Sequence, residues 1–210
     1  LSDTATTSSH QLAPPAQSLT LPLFVWLVIQ LIALALAAGR VSLSAHFAQP
    51  AETLALQEMV IVQFAASVML MPLLLRDARA WLTLSLIAAP MLLIAGSLAT
   101  ASTGRIAMTW AWLVTWLATL ALWRRALPAR RQLTAVAIAN LLTLGGLLLA
   151  YLESDFGSDS ALRLSRFSPL CGVLQFVREG EFSLPPLLTT AVLLACGAFC
   201  QLLIRRRSYP

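Results

Sequence analysis

From residue 21 onward the chain alternates long apolar runs with short polar connections in which arginines gather. Six runs carry no charge: Leu21 to Ala38, Met59 to Leu75, Trp81 to Ala99, Ile106 to Trp123, Gln132 to Leu152 and Leu184 to Ile204. A helix of about twenty residues crosses the roughly 30 Å of hydrocarbon in a bilayer. The pattern therefore predicts an all-α polytopic membrane protein with six transmembrane helices. Pro72 near the end of the second run and Pro90 in the third predict kinks. Only the Ala-Ser-Thr-Gly-Arg stretch around Gly104 and Arg105 separates the third run from the fourth, which predicts a tight antiparallel hairpin. Residues 1–18, rich in Ser, Thr, Ala, Pro and Gln, lack periodicity and read as a disordered tail. Residues 19–207 read as the six-helix domain, and 208–210 as its C-terminal end.

The longest connection, residues 153–183, has a pattern of its own. Ser168 followed by Pro169 is a helix start, a hydroxyl cap and then a proline that needs no N–H partner. Leu170, Val173, Leu174 and Val177 repeat with helical spacing, and Gly180 marks a stop. A second short helix is expected over Ser160 to Phe167, with Arg163 and Arg166 on its polar side. Neither is long enough to span, so they lie in the membrane interface or dip into the bundle as a re-entrant pair.

Composition supports the membrane assignment: 59% of residues are hydrophobic and 11% charged, and the mean hydropathy is +0.80. The net charge of +5 comes from 14 arginines against 9 acids, with no lysine. These arginines stand at the ends of apolar runs, so the charge reports topology and implies no nucleic-acid partner. Nine lie on one side (Arg76, Arg79, Arg124, Arg125, Arg130, Arg131, Arg205, Arg206, Arg207) and five on the other (Arg40, Arg105, Arg163, Arg166, Arg178). The positive-inside rule then places both termini in the cytoplasm. Arginine used to the exclusion of lysine, with abundant Ala and Leu, points to a GC-rich bacterial genome and hence to a bacterial inner membrane.

Several chemistries find no residues to carry them. His10 and His46 both lie outside the runs, so there is no axial pair for a buried haem. No acid or arginine falls inside a run, which removes the usual proton relay. No phosphate-binding glycine loop or proteolytic constellation occurs, and Cys171, Cys196 and Cys200 lack companion ligands. The expectation is a protein without catalytic residues, cofactor or metal. Polar groups at depth are Gln30, Gln63, Ser67, Thr115, Thr119, Asn140 and Thr143. Gln63, Asn140, Thr143 and Gln30 are the candidates for interhelical hydrogen bonds or for the lining of a substrate path. Ala35 with Gly39, and Gly145 with Gly146, suggest close helix packing. Trp81 and Trp123 read as interface anchors, while Trp112 and Trp116, one turn apart, face lipid by default, with a partner or a bound amphiphile as the alternatives.

The Arg76-Asp77-Ala78-Arg79 segment between the second and third runs, Phe167-Ser168-Pro169-Leu170 opening an outer helix, and Arg205-Arg206-Arg207 after the sixth run form an order of their own. This order resembles the six-span permeases of ATP-binding-cassette exporters. The resemblance is one of topology. It implies a dimer of permeases, two separate ATPase subunits and an amphiphilic substrate. On that reading Arg76, Asp77 and Arg79, with Arg124, Arg125, Arg130 and Arg131, dock a cytoplasmic partner, and Ser168 and Pro169 open the outer helix. The alternative is a non-catalytic accessory or scaffold subunit, with other membrane subunits and the lipid bilayer as its partners. A substrate-binding subunit of a modular vitamin importer is a third expectation.

Overall fold

A computed structural model describes residues 20–46, 54–74, 80–155, 164–180 and 184–207. Every regular element among them is helical. In chain order they are α1 (Thr20–His46), α2 (Leu54–Met69), α3 (Met71–Leu74), α4 (Ala80–Leu98), α5 (Thr103–Ala126), α6 (Gln132–Asp155), α7 (Pro169–Glu179) and α8 (Leu184–Arg207). Two 3-10 turns, Ala129–Arg131 and Leu164–Phe167, precede α6 and α7. Five of these helices, α1, α4, α5, α6 and α8, are long and apolar enough to cross a membrane, and α2 is shorter. Residues 1–18, 208–210, Arg76, Asp77 and Arg79 lie outside the described residues, as do Ser160 to Arg163 of the expected second outer helix.

Large apolar side chains cover the outside of the bundle: Phe24 and Leu36 on α1, Leu133 and Leu141 on α6, and Val192 and Phe199 on α8 are all exposed. Water would not tolerate such a continuous belt, whereas lipid requires it. The chain is an integral membrane protein.

The second apolar run is not a single kinked span. It breaks at Leu70, where α2 gives way to the one-turn α3. Pro72 has no N–H for the Val68 carbonyl, and its ring crowds that oxygen, so the helix cannot run through. Pro90, by contrast, lies within a continuous α4. The α4–α5 connection is the expected tight turn, with Ser102 capping α5 by accepting the Arg105 N–H at 3.3 Å.

The shorter helix sits at the centre. α2 packs against α1, α4, α5, α6 and α7, and nine of its sixteen residues are buried. Phe64 stacks on Trp116 of α5, ring centroids 5.8 Å apart. Trp112 and Trp116 thus point inward, correcting the expectation that they face lipid: both are buried. The Ala35 and Gly39 step is exposed, and nothing would meet a side chain at Gly39. Gly146, in contrast, is buried against the α7 segment.

Candidate functional site

α7 is the element that sequence alone left between two placements, at the membrane interface or within the bundle. The helix is wedged among α2, α5, α6 and α8, with Leu170, Val173, Phe176 and Val177 buried. Its small residues make the seat. A side chain at Gly172 would overlap Pro186 of α8, and one at Gly146 of α6 would overlap Ser168. The entry is tied down by Glu153 of α6, whose carboxylate accepts the Ser165 N–H at 3.2 Å and the Ser165 hydroxyl. Ser168 is the N-cap, accepting the Cys171 N–H at 3.4 Å, and Pro169 follows in the first turn. Gly180 ends the helix at φ 78°, a left-handed conformation that suits glycine, and its N–H donates to Phe176 O at 2.8 Å. Arg105, from the α4–α5 turn, donates to the Val177 carbonyl at 3.2 Å. A guanidinium at that position also complements the negative end of the helix dipole.

Counting back from Asp155 at the end of α6, Gly146 lies roughly 13 Å along the helix. The first turn of α7 therefore starts well inside the bundle and the helix rises toward Arg105. Cys171 is packed in this turn. Burial pushes its thiol above the ordinary range, the Glu153 carboxylate adds to the rise, and the hydrogen bond with Ser168 opposes it.

The polar residues predicted at depth divide into two kinds. Thr143 and Asn140 donate back to their own helix, to Ala139 O at 2.7 Å and Val136 O at 3.0 Å. Ser67, Thr115 and Thr119 do the same, to Gln63 O, Ala111 O and Thr115 O. Gln63 reaches between helices, donating to Ala88 O of α4 at 3.4 Å, while its Oε1 has no partner. Gln30 is fully buried on α1 with neither amide atom bonded, and the Asn140 Oδ1 is likewise unpaired. Gln30, Gln63 and the Asn140–Thr143 pair stand on three helices, α1, α2 and α6, of which α2 packs against both of the others.

Further bonds between helices come from indoles, among them Trp123, which the sequence marks as an interface anchor. Trp110 Nε1 donates to Ser85 O of α4 at 2.9 Å, and Trp123 Nε1 donates to Leu193 O of α8 at 3.1 Å. The described docking arginines lie at and beyond the end of α5: Arg124 is half-buried, and Arg125, Arg130 and Arg131 are exposed. No group of His, Cys or acidic side chains among the described residues could hold a metal ion. Compared with protein families, with characterised proteins and with solved structures, the chain matches none.

Proposed function

We propose that the chain is a membrane-embedded, permease-like subunit of an ATP-driven transport complex, its ATPase supplied by another subunit. In this reading it crosses a bacterial inner membrane six times with both termini in the cytoplasm. The sixth crossing is α2 with α3, which together run about 30 Å at helical rise. The observation that carries the reading is α7. It is a half-length helix that begins among the other helices, at Ser168 and Pro169, where a purely structural helix would continue to the far side. Proteins that move solutes use such interrupted helices, because free N–H groups and dipole ends at depth can meet a polar guest. Gln63 and Asn140, each with an unpaired buried amide oxygen, are the polar positions such a guest would meet. Arg124, Arg125, Arg130 and Arg131, with Arg76 and Arg79, would face the ATPase.

A second reading, a scaffold subunit of a larger membrane assembly, draws support from the long exposed apolar faces of α1, α6 and α8, which other helices could cover. Purification from native membranes in mild detergent, with mass spectrometry of what stays bound, separates the two. Recovery of a Walker-motif ATPase whose hydrolysis falls on Gln63→Leu or Asn140→Leu, with assembly intact, is the expected result. Recovery of haem or iron–sulfur subunits in fixed stoichiometry, with no ATPase, replaces the permease reading with the scaffold.

A further inference from the structure

At one corner of the bundle α5 and α8 close on each other and then leave a groove. The closure is tight. Trp123 donates across to Leu193 O at 3.1 Å, and a Cβ at Gly197 would come within 2.9 Å of the Trp123 ring. Beyond it lies a cavity of about 230 Å³ walled by Trp123, Ala126, Leu127, Cys196, Gly197 and Cys200. Cys196 and Cys200 are exposed, so it opens to the lipid side. Its walls are almost wholly apolar, which suits a hydrocarbon chain and excludes a water-soluble anion.

Arginines flank the α5 wall in sequence. Arg124 follows Trp123 directly and is half-buried, with its Nε buried and without a hydrogen-bond partner. Arg125, between Arg124 and the wall residue Ala126, and Arg130 and Arg131, a few residues past Leu127, are exposed. The described acids lie elsewhere. Glu153 and Asp155 are at the far end of α6, Glu179 adjoins Gly180 and so Arg105 at the opposite end of α5, and Glu58 pairs with Arg40. A half-buried guanidinium without a counter-charge, at the mouth of an apolar groove between membrane helices, calls for a ligand with an anionic head and an apolar tail.

We propose that this corner binds an anionic phospholipid of the surrounding bilayer, its phosphodiester on Arg124 and the neighbouring arginines and one acyl chain in the α5–α8 groove. The site uses the same arginines that the transport reading turns toward the ATPase, and the test is made on the chain alone, so its outcome does not depend on that subunit. The test uses the full chain in phosphatidylcholine nanodiscs containing either brominated phosphatidylglycerol or brominated phosphatidylcholine. The Trp123 signal is taken as the difference from Trp123→Phe. Quenching of Trp123 at a several-fold lower fraction of the anionic lipid is expected. The preference should fall about fivefold for each arginine removed in Arg124→Gln and Arg130→Gln, and should also fall in Cys200→Phe, which fills the groove while leaving every arginine in place. Equal quenching by the two lipids overturns the proposal. So does a preference that disappears with the arginines yet survives Cys200→Phe, because that is diffuse surface attraction without a seat. Should Cys200→Phe fail to fold by circular dichroism, Cys196→Phe on the same wall takes its place, with the same two outcomes.

Discussion

α2 and α8 are both apolar helices, yet they differ sharply in burial. α2 is sixteen residues long and exposes large side chains only at its ends, at Leu54 and Met69. α8 is twenty-four residues long and shows lipid Leu184, Leu188, Val192 and Phe199. Yet α2 carries Gln63, Ser67 and Glu58 while α8 has no charge before Arg205. In water both helices would have to turn their apolar faces inward. In lipid both destinations are apolar, so small and polar groups that can interlock with neighbours decide which helix goes inside. Ala55, Ala66 and Ser67 let α2 approach its neighbours closely, and Gln63 gains a carbonyl there.

The contrast can be broken most sharply with matched phenylalanines. Phe64→Ala on α2 removes the stack on Trp116 and should cost about 3–5 kcal/mol. Phe199→Ala on α8 should change stability by no more than about 0.5 kcal/mol. Reversible unfolding in mixed micelles of rising dodecyl sulfate content measures both, and equal losses would refute the assignment of inside and outside. A smaller effect tests how α7 is seated. Gly172→Leu should cost about 1–3 kcal/mol by overpacking against Pro186 and speed hydrogen exchange along α7. Gly39→Leu, where nothing lies within 4 Å, should do neither. The smallest effect has the opposite sign: Gln30→Leu should stabilise the bundle by about 1 kcal/mol, because it removes a buried amide with no partner. Destabilisation there would mean that the amide is bonded after all, through water inside the bundle.

Much of the architecture was legible in the chain. Charge-free runs mark α4 and α6 almost to the residue, and the Ser168-Pro169 start and Gly180 stop mark α7 correctly. α1 runs further than its apolar run because Arg40 keeps its charge exposed and pairs with Glu58 at 2.6 Å. α2 begins at Leu54, several residues before its charge-free stretch, because Glu58 is carried inside the helix by that pair. What could not be read is which face of each helix looks inward. Periodicity reveals a core only where solvent and core differ in polarity, and here Trp112 and Trp116 would satisfy either side equally. The same blindness hid the indole bonds of Trp110 and Trp123. It also hid the return of Asn140 and Thr143 to their own helix, since spacing along one chain segment does not say where a donor turns.

The wedge position of α7 has a consequence for the order in which the protein is made. Its seat is built from α2, α5 and α6, which leave the ribosome earlier, and from α8, which leaves last. Until α8 arrives, the Gly172 face has no Pro186 to close over it. α8 is therefore the wall of the seat that is made after α7 itself, and it closes against a helix whose C-terminal carbonyl Arg105 already holds.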